Sequence, residues 1–186
     1  MERLFSVLNI PREREKGTGV TITPLASAHL RQLTQLPNPN MIEFVFLGLG
    51  KNGVIDTILT ADPEHFMSGT GVVKTINGNA SRTNREEVIS ALTELDKTGR
   101  EKDLMVIGHF HPPMLKDAKK LLDLSSMDIS YVKKVSEGIP ELASMYTGIA
   151  VNTKRGPMLR LNRISDLNKV NTYKDLKKIF QLTFKI

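Results

Sequence analysis

Short apolar runs bounded by turn residues alternate along this chain with segments whose apolar residues recur at helical spacing. In the first half, the apolar runs predict strands over 19–23, 41–50, 54–62 and 71–78. Thr23 and Pro24 are typical of an N-cap and a first helical position, so a helix is predicted over 24–36. Residues 51–53, Lys-Asn-Gly, predict a hairpin turn between the second and third of these strands.

The second half of the chain continues this interleaving. Helical spacing predicts a helix over 83–98 that stops at Gly99, and a strand follows over 103–111. Three further elements are predicted, namely a helix over 125–138, a hairpin over 146–164 that turns at 154–156, and a basic amphipathic segment of helical spacing over 173–182. Because strands and helices interleave without a strict βαβ repeat, the pattern indicates an α+β or mixed α/β layer fold.

The composition is that of one domain of ordinary size. With 186 residues and 40% hydrophobic content, the chain can bury a substantial core. No apolar run approaches the length of a membrane span or of a signal-peptide core, so we expect a soluble, cytoplasmic protein without a membrane partner. Because the chain has no cysteine, any metal ion must be held by nitrogen and oxygen ligands.

The chain is basic, with a formal net charge of +6 and an isoelectric point near 9.5. Its lysines are scattered, with small clusters at 116–120, 131–134 and 173–178. Aromatic residues make up only 5% of the chain, too few for an evident base-stacking platform, so nucleic-acid binding is not favoured. The basic surface is interpreted as solvated charge or as an attraction for an acidic protein partner.

Candidate chemistry begins with two of the four histidines, which lie two positions apart in Val-Ile-Gly-His-Phe-His-Pro-Pro, residues 106–113. An apolar run closed by prolines predicts a buried strand that ends there. Side chains alternate faces along a strand, so His109 and His111 project to one side and Phe110 to the other. Two neutral imidazoles at a strand end provide two metal ligands and lack a third.

A third ligand is available where residues 125–128, Ser-Ser-Met-Asp, open the next predicted helix. Asp128 together with the two histidines would leave a fourth tetrahedral position open, as in catalytic zinc sites. The same residues also favour a plain helix cap, because Ser125 followed three residues later by an acid is close to a capping box. Asp117 and Asp123, which lie between the two motifs, are rival ligands.

Glu43 is the one ionisable residue in the apolar run over 41–50. A carboxylate buried among apolar side chains needs a partner, and burial raises its pKa. Beside a metal-bound water, such a group can take a proton from the water and pass it to a leaving nitrogen. The alternative is an edge position at which Glu43 faces solvent.

In this order, Glu43, His-x-His-Pro at 109–112 and Ser-x-x-Asp at 125–128 resemble the signature of the JAMM (MPN+) metalloprotease family. The resemblance covers roughly residues 19–165 and extends to the order of strands and helices around the motifs. It implies a curved, mostly antiparallel sheet flanked by helices. The segments outside it are an N-terminal extension and a basic amphipathic C-terminal tail, 1–18 and 166–186.

The same resemblance implies a role for each residue. His109, His111 and Asp128 would bind Zn²⁺, with a water in the open position. Glu43 would accept that water's proton and donate it to the departing amine, while Ser125 would donate a hydrogen bond to the oxyanion. The implied substrate is a ubiquitin-like or sulfur-carrier-like protein, cut between its C-terminus and an amine. Many relatives act as dimers or with partners, so a homodimer or a larger complex is expected.

Three features depart from the family pattern. Phe46 stands where the strand of the glutamate usually has a glycine, and Phe110 replaces the usual small polar residue between the histidines. The interval between the two downstream motifs is also longer than usual, and a surface insertion of this kind costs little loop entropy. Because Phe110 faces away from the metal, we expect its effect to be limited to packing.

Other functions remain open at this stage. The main alternative is a catalytically inactive MPN-type scaffold for protein interaction, although here every signature position is filled. An amidohydrolase barrel needs about 250 residues, and a cupin would be nearly all strand, which the predicted helices over 24–36, 83–98 and 125–137 oppose. A basic nucleic-acid-binding protein with a structural histidine pair would bind with a steep salt dependence.

Overall fold

The computed structural model describes residues 19–36, 43–60, 93, 95–111 and 122–186. Its strands are β1 (Thr21–Ile22), β2 (Phe44–Lys51), β3 (Val54–Thr60), β4 (Leu104–His111), β5 (Tyr146–Thr153), β6 (Gly156–Arg163) and β7 (Gln181–Lys185). The helices of which both ends are described are α1 (Pro24–Gln35), α2 (Ser126–Gly138), α3 (Ile164–Leu167) and α4 (Tyr173–Leu176). Short 3₁₀ helices lie at Glu101–Asp103 and Pro140–Ser144.

The strands of this described part form one curled sheet in the order β1-β3-β2-β4-β5-β6-β7. Four pairings are antiparallel, whereas β1–β3 and β4–β5 are parallel. Together with the helices, this confirms an α+β fold with a mostly antiparallel sheet. Because β2 and β4 are neighbours in the interior of the sheet, the residues at their adjoining ends lie close together.

The two predicted hairpins are confirmed, and glycine makes both turns possible. Between β2 and β3, Asn52 and Gly53 have φ angles of 53° and 79°, in the left-handed region that a two-residue hairpin turn requires. This turn fixes the register in which Lys51 is paired with Val54. Between β5 and β6, Gly156 has a φ of 99°. Both turns follow from local sequence, so their positions were predictable.

Apolar side chains cover both faces of the sheet, and β2 shows the alternation most clearly. Phe44 and Phe46 pack in the core that contains the buried residues of α1, a side that we call the α1 face. Val45, Leu47 and Leu49 pack in a second core on the opposite side. Because β2 is buried on both sides, it is a continuous apolar run, as expected for an interior strand.

The helix α2 lies on that opposite side, which we call the α2 face. Its residue Ile129 packs in a third apolar cluster with Ile149 of β5 and Leu124, the residue just before the helix cap. The next residue of β5, Ala150, belongs instead to the core on the α1 face. The alternation along β5 therefore separates the two faces and assigns α2 to one of them.

The C-terminal segment differs from its prediction. The helix α4 ends at Leu176, and the strand β7 then pairs antiparallel with β6, so the amphipathic helical segment predicted over 173–182 is wrong after that residue. Leu182 and Phe184 alternate toward the core on the α1 face, which favours a strand over a continued helix. Residues 166–186, predicted as a tail, thus supply the edge strand of the same sheet.

Several other predictions have only part of their residues in the described structure. Residues 95–98 are helical and Gly99, at a φ of 62°, follows them, in agreement with the predicted end of that helix. The strand predicted over 71–78 and the residues of that helix before 93 lie outside the described residues. Among the helices that the structure does describe, none is both long and apolar enough to cross a membrane.

Candidate metal centre

His109 and His111 lie at the end of β4, with their imidazoles facing each other. Their Nε2 atoms are 3.0 Å apart and their ring centroids 4.8 Å apart. Both side chains are largely shielded from solvent, at 17% and 12% exposed. His109 pairs with Val45 of β2, whose side chain packs on the α2 face, so the histidine pair opens toward α2.

Phe110, between the two histidines, points to the opposite side of the sheet. It is buried in the core of the α1 face, where its ring centroid lies 4.3 Å from that of Phe44 and 5.0 Å from that of Phe46. The alternation of a strand therefore separates the aromatic residue from the imidazoles, as the sequence predicted. Its contribution is to the packing beneath the site.

Phe46, which the sequence comparison with the JAMM signature marked as a departure, is matched by a glycine on the adjacent strand. Phe46 pairs with Gly108 of β4, and a Cβ atom added to Gly108 would lie 2.3 Å from Cζ of that ring. The bare backbone of Gly108 thus makes room for the phenyl group. Because the phenyl ring of Phe46 occupies the space that Gly108 leaves free, β2 and β4 keep a continuous register around this pair.

Glu43 immediately precedes β2 and reaches the histidine pair. Phe44 pairs with Phe110, so continuing that register by one residue brings Glu43 level with His111. Its Oε1 lies 3.5 Å from Nε2 of His111, and its side chain is only 24% exposed. The alternative of a solvent-facing edge position therefore does not hold.

The surroundings of this carboxyl group change its proton affinity. Burial raises the pKa of Glu43 above its ordinary value, His109 partly offsets this rise, and the negative charge of Asp128 adds to it. A carboxyl group with a raised pKa is suited to accept a proton near neutral pH and to release it again.

Ser125 and Asp128 form the N-terminal cap of α2. The Oγ atom of Ser125 accepts a hydrogen bond from the N–H of Asp128 at 3.1 Å, and Oδ2 of Asp128 accepts one from the N–H of Ser125 at 2.7 Å. This is the capping box that the sequence favoured. The remaining oxygen, Oδ1, lies 3.9 Å from Nε2 of His109. Asp128 therefore serves as a cap and faces the histidine pair at once.

The rival carboxylates are not available in the same way. Asp123 is paired with the guanidinium of Arg160, on β6. Asp117 lies outside the described residues. No pattern in the sequence singles out Arg160, since an isolated arginine in an alternating strand is an ordinary surface residue; only the sheet register brings it to this region.

The assembled donors could hold a metal ion, and their spacing can be compared with that of a zinc site. Ligands that share a tetrahedral Zn²⁺ with bonds of ~2.0–2.1 Å lie roughly 3.3 Å apart. The separations observed here are 3.0 Å between the two Nε2 atoms, 3.5 Å from His111 to Glu43 and 3.9 Å from His109 to Asp128. A cation between the two Nε2 atoms would use the lone pair of each imidazole. The four candidate donors, two imidazole nitrogens and two carboxylate oxygens, are all atoms that zinc accepts as ligands.

Two choices of third ligand are compatible with these distances. Within the described residues, the ligand atoms of Glu43, His109 and His111 all lie within 4.8 Å of one another. Asp128 is not in that group, although its Oδ1 lies 3.9 Å from Nε2 of His109; its carboxylate is held in place by the N–H of Ser125, and ligating carboxylates are ordinarily fixed by such a hydrogen bond. The raised pKa of Glu43 suits a proton carrier better than a ligand.

A scan against protein-family models finds no match, and a search of curated proteins finds none that is significantly similar. What this centre does is therefore inferred from its own side chains and from the order of the motifs that supply them.

Proposed function

We propose that this protein is a zinc-dependent peptidase of the JAMM type, which hydrolyses the amide between the C-terminus of a modifier protein and an amine. The proposal rests on one observation: Asp128, from the start of α2, brings Oδ1 to 3.9 Å from Nε2 of His109, beside the histidine pair of β4 and the glutamate that precedes β2. These are the signature positions of the family, and three separate elements bring them together on one face of an α+β domain.

In this proposal His109, His111 and Asp128 hold the metal. The imidazoles would offer their Nε2 atoms and Asp128 would offer Oδ1, while Oδ2 of Asp128 accepts the hydrogen bond from the N–H of Ser125 that fixes the carboxylate. When bound, Zn²⁺ supplies Lewis-acid polarisation of the scissile carbonyl and lowers the pKa of the attacking water.

Glu43 is assigned the proton transfers. Its carboxylate accepts the proton of the attacking water and later donates that proton to the departing amine. A carboxylate can carry the proton between these two steps only if its pKa is raised. Burial supplies that rise in the pKa of Glu43, and His109 partly offsets it. The assignment is supported by the 3.5 Å distance between Oε1 of Glu43 and Nε2 of His111, one of the proposed ligands.

Ser125 is assigned to the oxyanion. Its Oγ accepts the N–H of Asp128, which leaves the hydroxyl hydrogen to be donated elsewhere. A donor held by a helix cap costs little reorganisation when charge develops on the carbonyl oxygen. In this arrangement one capping box fixes both a metal ligand and an oxyanion donor.

We extend the proposal to the substrate and its setting. A ubiquitin-like or sulfur-carrier-like protein is the substrate class, the enzyme acts in the cytoplasm, and it works as a homodimer or in a larger complex. A basic surface with a net charge of +6 favours an acidic protein as partner, since opposite charges accelerate encounter.

The test is hydrolysis of defined fusions. Purified, zinc-loaded protein is incubated with fusions that join the C-terminus of a ubiquitin-like or sulfur-carrier-like protein to a reporter through an amide. We expect cleavage that a chelator abolishes and added Zn²⁺ restores. Cleavage that persists in the chelator would contradict a metal-dependent mechanism.

A histidine variant tests whether the site is the one described. His109→Ala combined with His111→Ala should remove both zinc and cleavage, measured by elemental analysis and by gel. His29→Ala, an exposed histidine of α1, is the matched control and should retain both. A folded wild-type protein that takes up no zinc would favour the inactive MPN-type scaffold instead.

A further inference from the structure

The segment that leads into α2 crosses the sheet above a single row of paired residues. His109 of β4 pairs with Ile149 of β5, Ile149 pairs with Arg160 of β6, and Arg160 pairs with Thr183 of β7. Residues paired directly across strands place their side chains on the same face. His109, Ile149 and Arg160 therefore lie side by side on the α2 face, with His109 and Arg160 two strand spacings, about 10 Å, apart.

The lead-in segment, defined as residues 123–128, contacts this row at three points. Asp123 forms an ion pair with Arg160. Leu124, 1% exposed, packs in the apolar cluster that contains Ile149. Asp128 then faces His109 at 3.9 Å. The order of contacts along the segment follows the order of strands across the sheet, so each contact helps to set the position of the next.

The ion pair at the far end of the segment is built to be specific. The side chains of Arg160 and Asp123 are only 18% and 15% exposed, so their attraction is screened less than that of a surface pair. The Nε of Arg160 also donates to Oγ1 of Thr183 on β7 at 3.3 Å, which orients the guanidinium. Because the guanidinium of Arg160 is held by Thr183 and paired with Asp123, it fixes the position of Asp123 over the sheet.

We propose that Arg160 and Asp123 are positioning residues of the metal centre, which hold the lead-in segment so that Asp128 reaches the histidine pair. This inference rests on the proposed zinc site. The capping box by itself orients Asp128 relative to Ser125 within α2, but it does not fix where the helix begins over the sheet. The pairing of Asp123 with Arg160 and the burial of Leu124 supply that attachment.

The test measures Zn²⁺ affinity by competition with a chromophoric chelator, a readout that is independent of hydrolysis. Arg160→Met keeps the aliphatic length and removes the charge, and Asp123→Asn keeps the shape of its partner. Each should weaken Zn²⁺ binding by about tenfold or more, the scale found when groups that orient a metal ligand are removed. Arg163→Met, an exposed arginine of the same strand, is the matched control and should leave the affinity unchanged.

Two further measurements separate positioning from general stability. The d–d absorption spectrum of the Co²⁺-substituted protein reports ligand geometry, and it should change in Arg160→Met but not in Arg163→Met. The charge-exchanged double variant, Arg160→Asp with Asp123→Arg, should recover part of the lost affinity if the pair itself acts.

The outcomes are distinguishable from failure of the proposed function. A wild-type protein that binds no zinc overturns both proposals. A wild-type protein that binds zinc, while Arg160→Met and Asp123→Asn bind it equally well with an unchanged Co²⁺ spectrum, overturns only the positioning role. If Arg160→Met does not fold, the milder Asp123→Asn variant gives the same decision.

Discussion

Oδ1 of Asp128 lies 3.9 Å from Nε2 of His109, while Oδ2 of the same carboxylate accepts a hydrogen bond of 2.7 Å from the N–H of Ser125. The two interpretations that the sequence left open for Asp128, a helix cap or a metal ligand, are thus compatible in one side chain. A carboxylate has two oxygens, and the capping box uses only Oδ2, which leaves Oδ1 to face His109.

The two roles of Asp128 can be separated by substitution. In Asp128→Asn the amide oxygen can still accept from the N–H of Ser125, so metal-free protein should lose less than about 1 kcal/mol of unfolding free energy. Its Zn²⁺ affinity should fall at least tenfold, because a neutral amide is a poor zinc ligand. Asp128→Ala should also lose the hydrogen bond from the N–H of Ser125, at a cost of about 0.5–1.5 kcal/mol, while Ser125 keeps its own capping hydrogen bond. Denaturation followed by circular dichroism, with chelator competition, measures both, and equal zinc affinity in Asp128→Asn would leave Glu43 as the third ligand.

Glu43→Gln should abolish proton transfer while it preserves the fold and the metal. The rate of hydrolysis should drop by about 10²–10⁴-fold, the usual contribution of a general base. Zinc content should stay at the wild-type level if Glu43 is the base, and should fall if it is a ligand, so elemental analysis decides between the two assignments. Glu137→Gln, an exposed glutamate near the end of α2, is the matched control. Wild-type turnover in Glu43→Gln would remove this residue from the mechanism.

The raised pKa of Glu43 predicts a pH-dependent stability of the chelator-treated protein. The pKa of Glu43 in the unfolded state is 4.5, and the folded state keeps the proton of this group to a higher pH. The stability that Glu43 contributes is therefore present below pH 4.5, and it is lost as the pH rises through the raised pKa of the folded state. Glu43→Gln cannot ionise, so its unfolding free energy relative to wild type should increase as the pH rises from 4.5 through the raised folded pKa. Urea denaturation at a series of pH values tests this, and a constant difference would contradict it.

The pairing of Phe46 with Gly108 predicts a coupled change in stability. Gly108→Ala places a Cβ 2.3 Å from Cζ of Phe46 and 2.8 Å from the carbonyl oxygen of Gly148, so the protein should lose about 1–3 kcal/mol of unfolding free energy. Phe46→Leu removes the first clash but not the second. In the double variant Gly108→Ala should therefore cost less than in the wild-type background. Additive effects in chemical denaturation would show that the ring and the glycine are not matched.

The elements that the sequence predicted correctly are those decided by neighbouring residues. Asn52 and Gly53 specify a tight turn through their tolerance of positive φ, and Ser125 with Asp128 specifies a helix start through a local hydrogen-bonded pair. The alternation of β4 likewise separated Phe110 from the histidines. Each of these features needs no contact from a distant part of the chain.

The features that the sequence left open or predicted wrongly depend on partners far along the chain. The amphipathic helical segment predicted over 173–182 gives way to β7 because Leu182 and Phe184 find a place against β6 and the core of the α1 face. Whether Glu43 faces solvent depends on β2 being interior, which only the strand order decides. The space for Phe46 is provided by Gly108, a residue of another strand.

The sequence by itself determined the chemistry on offer: two imidazoles on one side of a strand end, a capping carboxylate and a glutamate in an apolar run. Local turn and cap propensities, acting over a few residues, also determined where α1 and α2 begin and where the two hairpins turn. Only the tertiary structure decided that Asp128 lies beside His109 and that Asp123 pairs with Arg160. These distances are set by strand order and register, which arise from long-range pairing and from the burial of both faces of the sheet.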